Sequence, residues 1–169
     1  AAFQPQQPKL TRQGNAQEVQ EAFQAIEAGT VSGLISVGVN PVFSSANGNA
    51  LAEAIGKLEF SLSFTSKIDE TAAASQFVAA TPHYLESWGD YELKSGHYAL
   101  AQPTIRPLFD TQQFQDVLLR LAGKNSKFYD EIKAHWNESI LGSNSWSKAL
   151  HDCYYSAESS VENPTPDFS

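Results

Sequence analysis

A chain of 169 residues, 41% hydrophobic and 11% aromatic, has the length of one ordinary domain and enough apolar content for a packed core, which excludes wholesale disorder. Eleven Lys and Arg stand against nineteen Asp and Glu, a net charge of −8, and the basic residues are scattered, so no nucleic-acid partner is expected. The one cysteine, Cys153, excludes an internal disulfide, a four-cysteine zinc site and a cysteine-ligated iron–sulfur cluster held by this chain alone. No apolar run reaches the ~18 residues of a membrane span, so direct membrane insertion is not expected. The start, AAFQPQQPKLT, has no charged region followed by an apolar one and does not read as a signal peptide. Met is absent throughout, and the expectation is a piece of a longer polypeptide.

Residues 1–14, rich in Pro and Gln, are expected to be an extended lead-in. Ala16, Val19, Phe23 and Ile26 fall at helical spacing, with Asn15 to cap, Glu18 three residues on and Gly29 to end a helix over 16–28. VSGLISVGVNPVF follows as a strand expected to be buried on both faces and to stop by Asn40, since Pro41 has no N–H for a ladder. Asn47 and Gly48 open a second helix with Leu51, Ile55 and Leu58 on one side. From Leu58 to Phe64 apolar residues alternate with Glu59, Ser61 and Ser63, which predicts a strand with one greasy face. A short helix over 71–74 and a strand, QFVAA, complete an alternation of helices and strands. That alternation predicts an α/β fold: three layers, a mainly parallel sheet with helices on both faces, Rossmann-like or flavodoxin-like.

The stretch from Pro82 to Pro107 has little periodicity and is predicted as a long connection with one strand near Tyr98 to Ala101. The C-terminal part is predicted helical, with Phe114, Val117, Leu118 and Leu121 sharing one face, then Phe128, Ile132, Trp136 and Ile140 recurring every four residues, then a short helix with Trp146, Ala149 and Leu150. Residues 15–153 are thus expected as a single α/β domain and 154–169 as a loose tail.

Few residues carry a chemical signal. His83 and Glu86 sit three apart, a spacing that can place two ligands on one helical face, but a metal needs three or four donors and no second pair at ligand spacing exists, so no metal site is expected. Asp69, Glu70, Glu86 and Asp90 read as solvated carboxylates near turns. Ser145 and Lys148 form S-x-x-K without its partner motifs, and there is no nucleophile elbow, dinucleotide fingerprint or P-loop. Cys153 is expected as a packed thiol on the apolar side of the last helix. Gly38-Val39-Asn40-Pro41 remains, at the carboxyl end of the first strand, where parallel sheets bind ligands. An Asx-turn that merely ends the strand explains the same tetrapeptide equally well.

GLISVGVNPVFSSANG, DETAAASQFVAATPHYLESWGD and LAQPTIRPLFDTQQFQDVLL together resemble the molybdopterin oxidoreductases. More narrowly, the HYLESWGD and QPTIRPLFD blocks and the later WSKALHD look like the periplasmic molybdopterin-oxidoreductase-like iron–sulfur subunit of alternative complex III, a quinol-oxidising bacterial complex. The likeness runs from about Asn15 to His151. It implies an internal domain of a much larger subunit, with no catalytic residue of its own and with iron–sulfur clusters ligated elsewhere in the parent chain. In members that bind the molybdopterin guanine dinucleotide, the G-x-N-P turn and a later E-T-A…E-x-x-G stretch help hold it. Carried onto this sequence, that implies Gly38, Asn40, Pro41, Glu70, Thr71, Glu86 and Gly89 as vestigial or weak cofactor contacts. Gln76 stands where such members have Asp, and Ala79-Ala80 where they have Leu-Pro, a departure that favours a scaffold without cofactor.

The resemblance further implies sibling domains and subunits as partners, on the periplasmic side of the inner membrane. A genuine dinucleotide-binding domain of an active molybdoenzyme is the alternative, and an independent flavodoxin-like binding module a weaker one. An excised domain should expose an apolar patch. The aromatics from Tyr84 to Tyr98 are the expected place for it, so that replacing Tyr91 or Tyr98 by Ser should cost the domain little.

Overall fold

The computed structural model describes residues 14–157, and the expected lead-in before Gly14 and tail beyond Ala157 lie outside the described residues. Helix α1 (Ala16–Glu27) begins where Asn15 accepts hydrogen bonds from the amides of Gln17 and Glu18, and Gly29, at φ +68°, turns the chain out of it. Strand β1 (Gly33–Val37) leads to a single helical turn, α2 (Pro41–Ser44), then α3 (Gly48–Ile55), β2 (Phe60–Thr65), α4 (Glu70–Ala74) and β3 (Phe77–Ala80). The three strands form a parallel sheet in the order β1-β2-β3, with Ile35 opposite Leu62 and Leu62 opposite Phe77. This is the predicted α/β architecture, flanked by helices. The one-turn α2 was not foreseen, and it packs close on α3: a Cβ on Gly48 would lie 2.0 Å from the Val42 carbonyl oxygen.

The sheet faces are used in an order the alternation alone did not reveal. Ser36, Ser61, Ser63 and Thr65 are buried, while Ile26, Leu51, Ile55 and Leu58 form the helical core, joined by Leu34 from the same side of β1. The greasy face points the other way. There Phe64 is covered by Phe114 at a ring separation of 4.9 Å, but Ile35 (44% exposed), Val37 (40%), Phe60 (40%) and Phe77 (56%) stand open. Strand β1 is therefore a half-exposed edge, not the doubly buried strand expected from its composition.

A second, antiparallel sheet is built around the one strand expected near Tyr98 to Ala101, where the rest was expected as a long connection. After a 3-10 turn at Tyr84–Glu86, β4 (Gly89–Lys94) and β5 (His97–Ala101) form a hairpin, and β6 (Tyr154–Ser156) pairs with β5 in the order β4-β5-β6. Residues 154–156 thus belong to the sheet rather than to a loose tail. Helices α5 (Phe114–Leu121), α6 (Phe128–His135) and α7 (Trp146–Asp152) follow the predicted pattern, except that α6 runs into a π-helical turn at Trp136–Ile140. The Leu141 amide there donates to the Trp136 carbonyl, five residues back, so Trp136 and Leu141 are both buried while Ile140, the residue that four-residue spacing selects, is only half-buried. Both join Leu100, Ile132, Trp146 and Ala149 in a second core.

Two further expectations change. Cys153 is exposed rather than packed: it ends α7 in the left-handed conformation, at φ +56°, and its Sγ lies 3.1 Å from the Gln102 amide nitrogen. Tyr98 is not free surface either, because its ring packs edge-on against Trp136 and burial pushes its phenol pKa up. Tyr91, by contrast, is 57% exposed. Thermal denaturation should separate the two: Tyr98→Ser should lose about 1–3 kcal/mol, and Tyr91→Ser under about 0.5 kcal/mol.

The buried serines give a second expectation. Ser61 Oγ accepts the Gln76 amide at 2.9 Å, whereas the hydroxyls of Ser36 and Ser63, neighbours in register, find no hydrogen-bond partner. Chemical denaturation of Ser63→Ala should therefore show unchanged or higher stability, and of Ser61→Ala a loss of about 1 kcal/mol or more, because only the latter strands an amide.

Candidate functional site

The carboxyl ends of β1 and β2 are joined by one side chain. Gly38 leaves β1 at φ +62°, its amide still bonded to the Phe64 carbonyl at 2.9 Å. Asn40 then caps α2, with Pro41 in the first helical position, where its missing N–H costs nothing. Asn40 Oδ1 accepts from the Phe43 amide (3.3 Å), the Thr71 amide (3.2 Å) and the Thr71 hydroxyl (2.8 Å). Its Nδ2 donates to Glu70 Oε2 at 2.6 Å, and Thr71 Oγ1 in turn accepts from the Val42 amide at 3.1 Å. Each loop thus satisfies the helix start of the other. Helix α4 is held in place by Asp69, whose carboxylate accepts from the Ala72 amide at 2.9 Å.

This geometry brings together Gly38, Asn40, Pro41, Glu70 and Thr71. Thr71 is fully buried, while Glu70 remains at the surface. The Asn40–Glu70 hydrogen bond holds the Glu70 carboxyl below its ordinary value of 4.5, against a weaker upward push from burial and from Asp69. The Asn40 oxygen, with three donors, and the Thr71 hydroxyl, which both donates and accepts, are engaged within the protein. Both groups are thus committed to joining the two loops, while Glu70 stays at the surface.

Glu86 and Gly89 lie apart from this cluster. Glu86 closes the 3-10 turn by accepting from the His83 amide at 3.0 Å, and its other oxygen accepts from the Leu108 amide at 3.3 Å. His83 Nδ1 accepts from the Leu85 amide, a capping role in place of a metal-binding one. Gly89 opens β4 beneath Tyr91, whose hydroxyl oxygen would lie 3.0 Å from a Cβ there. Among the described residues no three His, Cys, Asp or Glu side chains group as metal ligands. Gln76 precedes β3, so it sits at the amino end of the sheet, opposite Asn40, and its amide donates to the Leu58 carbonyl at 2.7 Å. A carboxylate at position 76 would meet that carbonyl, not the crevice at the strand tips.

Sequence comparison finds a relative in Nitratidesulfovibrio vulgaris (strain Hildenborough), described as the molybdopterin-binding-like subunit of menaquinone reductase, 37% identical over 105 residues. The match takes in 56% of this chain and 15% of that protein. Among solved structures, acetylene hydratase from Pelobacter acetylenicus superposes with a TM-score of 0.63 at 15% identity, covering 80% of this chain and 20% of that one. The chain is related to the molybdopterin oxidoreductases. No family model matches it. It spans a fifth or less of the length of either protein, and the likeness to acetylene hydratase is one of fold.

The lowered Glu70 pKa fixes the sign of a pH effect. Its bond to Asn40 stabilises the fold fully above pH 4.5, and that contribution is lost as pH falls through the lower, folded-state value. Acid titration of Glu70→Gln, followed by circular dichroism, should show a shallower loss of stability below pH 4.5 than the parent protein shows.

Proposed function

We propose that this chain is a non-catalytic α/β domain of a molybdopterin-oxidoreductase-like subunit in a quinone-linked electron-transfer complex of the alternative complex III kind, and that it holds no pterin. One observation carries the reading: the polar atoms of Asn40 and Thr71, at the strand tips where a dinucleotide would lie, are spent on one another. The name of the menaquinone reductase subunit, binding-like rather than binding, agrees with it.

The open sheet face supports the second half of the proposal, a place inside a larger subunit. Parallel sheets are covered on both faces in finished proteins, and Ile35, Val37, Phe60 and Phe77 leave about half of one face bare. The covering layer is a sibling domain of the parent polypeptide. The iron–sulfur clusters are ligated elsewhere in that polypeptide, and the domain faces the periplasm with the rest of the subunit. Among the described residues no helix is long and apolar enough to cross a membrane.

Elemental analysis of the intact subunit tests the first half. Molybdenum and tungsten should be absent, and a stoichiometric content of either, with guanine nucleotide released on denaturation, would overturn the reading. Ile35→Ser with Phe77→Ser tests the second: the domain's own melting temperature should hold, while recovery of the assembled subunit should fall several-fold in co-purification.

A further inference from the structure

A cavity of about 700 Å3 lies away from the strand tips, between the 3-10 turn, residues 103–113 and the start of α6. It concentrates positive charge in a chain of net charge −8: Arg106, Arg120 and Lys127 all line it, and the only other arginine in the sequence is Arg12. All three are exposed. The two carboxylates in the same wall are already engaged. Glu86 accepts from the amides of His83 and Leu108, and Asp116 accepts from the Phe128 amide at 2.7 Å. No ion pair joins either of them to the three cations among the described residues.

The wall that carries Arg106 is fixed in advance. The amides of Thr104 and Ile105 both donate to the Leu85 carbonyl, at 2.7 and 3.1 Å, and the Gln112 amide donates to Ala80 at 3.1 Å. Pro103 and Pro107 flank Arg106 with fixed φ angles. A ligand entering here therefore orders little backbone. Guanidinium forks match the paired oxygens of phosphate and carboxylate, and a cavity of this volume accepts more than one such group.

From this arrangement we propose that the cavity is a binding site for a small molecule carrying two or more oxyanionic groups, phosphate or carboxylate, held by Arg106 and Arg120 with Lys127 in support. The site is independent of the strand-tip crevice and of the scaffold reading above.

Calorimetric titration of the intact protein with sodium pyrophosphate, and separately with sodium citrate, tests it at about 0.15 M salt, where loose surface attraction is screened. Saturable one-site binding of either probe is expected; pyrophosphate alone marks a phosphate ligand, citrate alone a carboxylate ligand. Arg106→Gln and Arg120→Gln should each weaken binding about tenfold or more. Arg106→Lys should recover part of the loss, since it restores the charge but not the fork. Lys57→Gln, on a different part of the surface, should change nothing. No saturable binding of either probe, or equal weakening by Lys57→Gln, would overturn the proposal. Circular dichroism melts confirm that each exposed-site variant is folded.

Discussion

The Asn40 carboxamide is the interaction on which the parallel-sheet half of the molecule turns. It caps one helix, bonds the amide and hydroxyl that start another, and fixes a surface carboxylate, so that the tips of two adjacent strands are tied by a single side chain. Pro41 after it and Asp69 at the start of the second helix restrict both loops further. The same tetrapeptide that offers a ligand-facing turn is here consumed by the fold.

The two faces of the sheet express a complementary constraint. Helices lie on the face of serines and threonine, whose small side chains admit close approach, and the phenylalanines look outward. Read alone, such a domain has its hydrophobicity on the wrong side. The helices need only small neighbours on their face, and bulky residues are kept on the open one.

What could be read from sequence follows from how local each signal is. Asn15 with Gly29, the short helix marked by Trp146, Ala149 and Leu150, and the helical spacing around Phe114 and Ile132 depend on a few neighbouring residues, and the structure bears them out. The β2 alternation was equally legible, but alternation says only that two faces differ; which one meets the helices is set by residues far away in the chain. The β4–β5 hairpin was missed because Tyr91 and Leu93 stay exposed while Asp90 turns in to accept the Trp136 indole N–H at 3.0 Å, so polarity and burial run opposite to habit. Strand β6 escaped for a similar reason, its partner lying more than fifty residues away. Within the candidate site, Asn40 stands out in the sequence, but its engagement with Thr71 spans 31 positions and has no signature in either segment. The basic cavity left a fainter trace: two of only three arginines, fourteen positions apart in sequence.

The π-helical turn after α6 carries a consequence for how this part of the chain can vary over generations. An ordinary helix rotates about 100° per residue, so losing one residue between Trp136 and Leu141 would swing everything downstream by roughly that angle. Trp146, Ala149 and β6 would then miss their neighbours together. Substitution is tolerable at the exposed Asn137, Glu138 and Ser139, but length is not: the widened turn acts as a frame marker, and lineages that keep the second core must keep its residue count.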